Sequence, residues 1–408
     1  MSLFVTDGNQ RVTLAVVRAL GRVGIPVTVG GEEPTCLAGR SRYCSRTVRY
    51  PSPLKEPECF QAFIRQEVER GRYRVLLPVT DITVQLLSPI RESFALPICL
   101  PMPCNEKIQL VQDKQQVLAA AGRVGIGCPK TFVLHEQESL EDFSRRVPYP
   151  AVIKPRVSRF RRNGRWAFGS VQYARDASDL IRKYRESDAL IPRPLIQEKI
   201  EGEGQGVFLL IWDGELKAAF CHRRLREKPP WGGVSVYCES LPLNDELVEK
   251  SLALLKAIGW QGVAMVEYKV DRRDGWPKLM EVNGRFWGSL QLAIDAGMNF
   301  PLMLYRLATG EQVPPQFKYR AGVRCRWLIG DFDHLLIRFT HPLNPDGSRS
   351  SAGSRLRACL NFMKFWEPNT RNEVFRLDDP APGWFEIKGY VWTAFRRLTT
   401  HPEEVGAN

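Results

Sequence analysis

The chain has 408 residues, 44% hydrophobic and 25% charged, a composition that fits a soluble globular protein with room for two or three domains. It contains no apolar run of the length a membrane-crossing helix needs, so a transmembrane segment is not expected. With 58 Lys and Arg against 45 Asp and Glu, the formal charge is +13; this favours nucleic acid, an anionic membrane or a phosphorylated substrate without choosing among them.

The opening segments "LFVTD", "QRVTLAVVRALGRVGI" and "PVTVGGE" read as strand, amphipathic helix and strand, with Val12, Ala15, Val16, Ala19 and Leu20 at helical spacing. No basic n-region or apolar h-region precedes them, so a signal peptide is not expected and a cytoplasmic chain is. A helix around "ECFQAFIRQEVERG" and a strand "RVLLPVT" repeat the alternation, which predicts a parallel sheet covered on both faces. Gly8 belongs to no G-x-G-x-x-G fingerprint, so a dinucleotide site has little support there.

The proline-rich "CLPMPCNEK" (99–107) reads as a boundary. Beyond it come a helix in "QDKQQVLAAAGRVGIGCP", the strands "KTFVL", "YPAVIKP" and "SVQYA", and the helix "DASDLIRKYRES". "PLIQEKI" and "GVFLLIWDG" continue the strands, with Asp213-Gly214 as a hairpin turn. "NDELVEKSLALLKAIGW" is an amphipathic helix capped by Asn244. The ten cysteines form no C-x-x-C pair and are expected mostly as small buried hydrophobes.

The stretch "LMEVNGRFWGSLQLA" (279–293) then places Glu281, Asn283 and Arg285 at a period of two, on one face of a strand. The turn "RRDG" folds it back on "GVAMVEYKVD", which carries Glu267. Two carboxylates and an amide converging across a sheet suit a hard cation such as magnesium; solvated charges at a strand end are the alternative.

These motifs, in this order, resemble the ATP-grasp superfamily and its carboxylate–amine ligase-like members. The likeness spans about residues 1–310. It rests on Asp113-Lys114 at the head of a helix, Lys154 in "YPAVIKP", "QEKIEGEG" (197–204) and "MVEYKVD…KLMEVNGRFWGS". The resemblance implies an α/β chain with a Rossmann-like (pre-ATP-grasp) domain at 1–103. An ATP-grasp fold of two α+β subdomains follows, the small one with a phosphate-covering loop at 104–196 and the large one with a metal site at 197–315. A C-terminal helical extension of unassigned role fills 316–408. ATP and Mg2+ or Mn2+ are the implied cofactors, and a homodimer is the implied assembly.

By the same resemblance, Lys114 and Lys154 neutralise ATP phosphates. The backbone of Glu198, Lys199 and Ile200 reads adenine, and Glu201 or Glu203 bonds the ribose. Glu267, Glu281 and Asn283 hold the metal, while Arg285, Arg224 and Arg226 face an acyl phosphate. The implied reaction is ATP-dependent activation of a small-molecule carboxylate and its transfer to an amine. Another ATP-grasp phosphoryl-transfer enzyme, or a non-catalytic nucleotide or nucleic-acid binder, is the alternative. No strong nucleic-acid signal is present, although Phe160, Trp166 and Phe168 alternate with bases.

Two basic segments stay open. In loop 156–165, Arg159, Arg161 and Arg162 either touch an acidic or phosphorylated substrate or are solvated. Near the C-terminus, "GVRCRWLIGDFDHLLIRF" has helical apolar spacing, and "SRLRACLNFMKFW" is basic and amphipathic. It either packs on its own core or meets an anionic membrane surface or a lipid-like substrate. "RLDDPAPGWFE" reads as a turn-rich connection with no chemical role.

Overall fold

The computed structural model describes residues 2–162, 164–190, 193–341, 343–348, 353–364 and 367–399. The first unit runs β1 (Leu3–Val5), α1 (Arg11–Gly21), β2 (Val27–Gly31), β3 (Arg46–Arg49), α2 (Pro57–Gly71), β4 (Val75–Leu77) and α3 (Asp81–Leu87). Its strands lie in the order β3-β2-β1-β4 with every pairing parallel. Leu3 and Val5 pack with the buried face of α1, while Phe4 points the other way into a core with Phe60 and Ile64 of α2. The sheet is therefore covered on both sides, which is why its strands are short, continuous apolar runs.

Next come α4 (Asn105–Gln112) and α5 (Lys114–Arg123), separated at Asp113. The Asp113 carboxylate caps α5 by accepting from the backbone N–H of Gln115 (3.0 Å) and Gln116 (3.4 Å). The chain continues through β5 (Thr131–Phe132), α6 (Leu140–Arg145), β6 (Ala151–Lys154), β7 (Arg159–Arg162), β8 (Arg165–Phe168), β9 (Gln172–Ala174), α7 (Ala177–Leu190) and β10 (Leu195–Glu198). A small antiparallel sheet has the order β5-β10-β6-β9, and β7 and β8 form a separate hairpin.

The remaining strands and helices are β11 (Gly202–Trp212), β12 (Glu215–Lys228), β13 (Val234–Leu241), α8 (Asp245–Ile258), β14 (Gly262–Asp271), β15 (Pro277–Asn283), α9 (Leu290–Ala296), α10 (Phe300–Ala308), β16 (Arg324–Arg326), α11 (Leu328–Thr340), α12 (Gly353–Phe362), β17 (Thr370–Asn372) and α13 (Ala381–Thr399). Seven strands join in one sheet, β15-β14-β11-β12-β13-β16-β17. The β11–β12 turn places Asp213 and Gly214 at φ 51° and 77°, the left-handed pair that a tight two-residue hairpin requires.

The packing departs from the sequence expectation in four places. "VRCRW", expected within a helix, supplies β16, which pairs with β13 and extends the sheet past residue 316. Ile108, Val111 and Val117 of α4 and α5 share a core with Val207 and Leu254, so the chain after 104 first packs on the large sheet. "RLDDPAPGWFE" is an anchor rather than a plain connection. Asp379, itself buried, binds the buried Arg18 of α1 at 2.8 Å, and Arg18 also donates to the carbonyls of Glu373 and Val374. Finally, among the free cysteines only Cys36, Cys221, Cys238 and Cys325 are fully buried; the others are half-buried or exposed. Among the described residues no helix is long and apolar enough to cross a membrane.

Candidate active site

A cleft of about 690 Å³ is lined by the large sheet, the small antiparallel sheet, the β7–β8 hairpin and the segment after β4. Its floor is one face of the large sheet, and the register fixes which side chains reach it. Glu267 on β14 pairs directly with Glu281 on β15 and with Gly206 on β11. Lys269 stands two residues along from Glu267 and lines the same cleft. Asn283, two along from Glu281, donates through Nδ2 to Glu281 Oε1 at 3.2 Å.

Both lysines named from sequence reach this floor. Lys114 is buried, donates to Ser158 Oγ at 2.7 Å and lies 3.7 Å from Glu281. Lys154 ends β6 with its ammonium 3.9 Å from Met280 Sδ. Desolvation lowers its pKa to about 8; Glu281 and Glu267 pull the other way, and Lys114 adds to the lowering. An ammonium so poorly stabilised is a ready seat for a phosphate.

The two carboxylates respond in opposite senses. Desolvation holds Glu267 above the usual carboxylate range, and Glu281 raises it further against the opposing pull of Arg224. Desolvation also acts upward on Glu281, but Lys114, Asn283 and Lys154 outweigh it and hold that group below the usual range. Arg224 meets Glu267 at 2.6 Å and Glu227 at 2.9 Å.

Arg285 also lines the cleft, although β15 ends two residues before it. Gly284 makes that exit possible: a Cβ there would sit 2.2 Å from the Trp260 ring. The Arg285 guanidinium then forms a fork on Asp81, at 2.7 and 2.9 Å, and donates to the Phe286 carbonyl at 2.9 Å. Asp81 opens α3 after the Thr80 cap, so the N-terminal unit orients an arginine of the large sheet. Arg285, Arg159 and Lys114 hold the Asp81 carboxyl below its usual range against the upward push of desolvation.

Three of the expected site residues lie elsewhere. Glu203 pairs with Val270, an odd step from the Glu267–Gly206 pair, so it projects from the opposite face of the sheet. There it meets Arg223 at 3.5 Å. Glu201 is turned outward onto Lys199 at 2.6 Å and does not line the cleft. Arg226 is displaced by a β-bulge. Arg224 pairs with Cys238 and Arg226 with its neighbour Tyr237, leaving Leu225 as an extra residue on β12. The two arginines therefore face opposite sides, and Arg226 binds Asp331 of α11 at 2.5 and 2.7 Å.

Glu198, Lys199 and Ile200 line the cleft wall beside β10. The Glu198 side chain is engaged by the backbone N–H of Lys130 and by Arg273, both at 2.8 Å. Lys199 also pairs with Asp346. The Arg-rich loop is the β7–β8 hairpin, laid against the N-terminal unit. Arg161 binds Glu58 at 2.6 Å, and the Trp166 indole N–H donates to the Pro53 carbonyl at 3.0 Å. Arg159 lines the cleft and stands 4.0 Å from Asp81, whereas the side chain of Arg162 lies outside the described residues.

Asp81 and Lys269 are thus cleft residues that were not named from sequence, while Arg159, left open there between substrate contact and solvent, lines the cleft. The only local mark of Asp81 is its place after a Thr80/Thr83 capping box in "VTDIT".

The residues present fit a divalent cation. Among the described residues no three His, Cys, Asp or Glu side chains form a self-sufficient site. Glu267, Glu281 and the Asn283 oxygen nevertheless make an all-oxygen set, and burial holds Glu267 above the usual carboxylate range even with Arg224 beside it. Magnesium uses few protein ligands of this kind and takes the remainder from phosphate and water.

Comparison with known proteins bears on the fold that carries this cleft. The family described as "ATP-grasp in the biosynthetic pathway with Ter operon" matches residues 191–330. The N5-carboxyaminoimidazole synthetase of Staphylococcus aureus superposes with a TM-score of 0.62 at 14% identity, over 86% of this chain and 90% of that one. This chain has the ATP-grasp fold, and its residues 191–330 match an ATP-grasp family. The L-amino acid ligase of Bacillus licheniformis gives a TM-score of 0.58 at 16% identity, over 77% of this chain and 75% of that one. The biotin carboxylase domain of Hydrogenobacter thermophilus 2-oxoglutarate carboxylase, a dimer in complex with MgADP, gives 0.62 at 15% identity, over 79% of this chain and 73% of that one. A curated relative, the carbamoyl phosphate synthase large chain of Xanthomonas campestris pv. campestris, is 35% identical over 51 residues. That match is 12% of this chain and spans only 5% of the relative's length.

Proposed function

We propose that the chain is an ADP-forming ligase that activates a substrate carboxylate as an acyl phosphate and joins it to an amine. The observation that carries the reading is the convergence on one cleft of Lys114, Lys154, the Glu267–Glu281 pair, Asn283 and a fork-held Arg285.

The roles follow from position. Lys154 and Lys114 hold the ATP phosphates as point charges, with Lys269 adding to the field. Adenine lies against Glu198, Lys199 and Ile200. Glu267, Glu281 and Asn283 would hold Mg2+, which would supply neutralisation of phosphate charge. The substrate carboxylate oxygen attacks the γ-phosphorus while the bond to the ADP oxygen breaks and ADP leaves with that electron pair. The amine nitrogen then attacks the acyl carbon, phosphate departs with the carbon–oxygen pair, and the amine loses its proton. Arg285 and Arg224 face the oxygens on which charge gathers in both steps. No side chain forms a covalent bond, so positioning and charge stabilisation provide the rate.

The test is ADP release with Mg2+ and ATP against a panel of carboxylates and amines, with bicarbonate as a separate acceptor. Glu281→Ala and Lys154→Ala serve as controls. Turnover that needs one acid and one amine together, and is lost in both controls, supports the ligase. Release driven by bicarbonate alone replaces it with a carboxylating reaction.

A further inference from the structure

The C-terminal helices leave unusual surface in solvent. Phe332 of α11 packs 5.8 Å from the Phe362 ring of α12 and 6.2 Å from the Tyr390 ring of α13, which holds the three helices together. Away from that junction each helix exposes apolar residues on one stripe. On α12 and just beyond it, Leu356, Leu360 and Met363 recur at helical spacing and are 70%, 58% and 63% exposed. On α13, Val391, Trp392 and Phe395 are 60%, 58% and 57% exposed. Leu336 and Phe339 continue the surface on α11. Soluble chains rarely leave this many large apolar side chains exposed on neighbouring helices without a partner.

Charge identifies the partner. The acids of these helices point inward: Asp331 to Arg226 and Arg326, Asp333 to Lys228 and Tyr390, and Glu386 to the Trp327 indole N–H at 2.8 Å. α12 contains no acid at all. The bases do the reverse. Arg355, Arg357 and Lys364 are exposed beside the α12 stripe, and Lys388 and Arg396 beside the α13 stripe. A second copy brought face to face would set these bases against one another. An anionic bilayer takes the apolar stripes into its acyl boundary and the bases onto its phosphates.

We propose that α11, α12 and α13 form a docking face that seats the chain on an anionic lipid surface, with the helices lying in the interface rather than crossing it. The face is separate from the ATP cleft, so docking requires no turnover and stands apart from the ligase reading.

The test is co-sedimentation of the full chain with phosphatidylcholine vesicles, with and without phosphatidylglycerol, at low and high salt. Light scattering and the thermal midpoint are recorded alongside. The expected result is binding to the anionic vesicles alone, weakened by salt. Partitioning falls about tenfold in Leu360→Asp/Trp392→Asp and again in Arg355→Glu/Arg357→Glu, with unchanged thermal midpoints. Absence of binding to anionic vesicles, or binding that neither variant weakens, overturns the proposal. So does a dimer in solution that the same substitutions dissolve, since that assigns the face to a second copy.

Discussion

Glu267 and Glu281 are register partners on adjacent strands, yet the cleft treats them oppositely: one is held above the ordinary carboxylate range, the other below it. The difference lies in their neighbours. Glu281 sits between Lys114 and Lys154, while Glu267 relies on Arg224 and faces the charge of Glu281.

This pair gives the first prediction. Glu281→Gln keeps the size and hydrogen-bonding capacity of the side chain and removes its charge. Its affinity for Mn2+, followed by paramagnetic relaxation of water in the presence of ATP, is expected to fall at least about tenfold. Activity is expected to fall by about a hundredfold or more with little change in thermal midpoint.

Lys154 predicts two pH trends of opposite sign. Its pKa in the free protein is about 8, below its value in an unfolded chain. Between about pH 8 and 10.5 the unfolded chain binds the proton that the folded site has lost, so folding stability from this group rises with pH, by up to about 3 kcal/mol. Affinity for ATP runs the other way, because only the ammonium attracts phosphate. Calorimetric unfolding and ATP titration across this range are expected to show both trends in the difference between the native chain and Lys154→Met, which isolates this group from the others that titrate there.

Asp81 predicts an effect on a guanidinium it only orients. Asp81→Ala leaves Arg285 in place without its fork, so kcat is expected to fall about ten- to a hundredfold while KM for ATP changes little. Asp81→Glu is expected to restore part of the loss. An Asp81→Ala enzyme with unchanged kcat would detach the N-terminal unit from catalysis.

The Arg18–Asp379 pair concerns stability. Both side chains are 1% exposed, and Arg18 donates to backbone carbonyls as well. Asp379→Ala strands a buried guanidinium and is expected to cost about 3–5 kcal/mol, read as a lowered urea midpoint. The double variant Arg18→Met/Asp379→Leu is expected to recover most of that loss.

Residues whose roles are set by short-range pattern were visible in the sequence. Lys154 stands out because a cation ends an apolar strand. Glu267, Glu281 and Asn283 stand out because a hairpin turn and a period of two set them opposite one another. What was hidden depends on distance or on a break in period. Asp81 and Arg285 are 204 residues apart, and Arg18 and Asp379 are 361 apart. Glu203 is misplaced without the strand register, which no local pattern supplies. Arg226 is misplaced by one inserted residue that a two-residue period does not reveal.

That inserted residue, Leu225, has a consequence of a different kind. It sets the phase of β12, so that Arg224 serves the cleft while Arg226 is handed to α11. In a regular strand two residues two positions apart share one side; the bulge instead divides Arg224 and Arg226 between the cleft and α11. Along this rim, which side chain meets the cleft is set by the phase of the strand as well as by residue type, something a comparison of residue types alone would overlook.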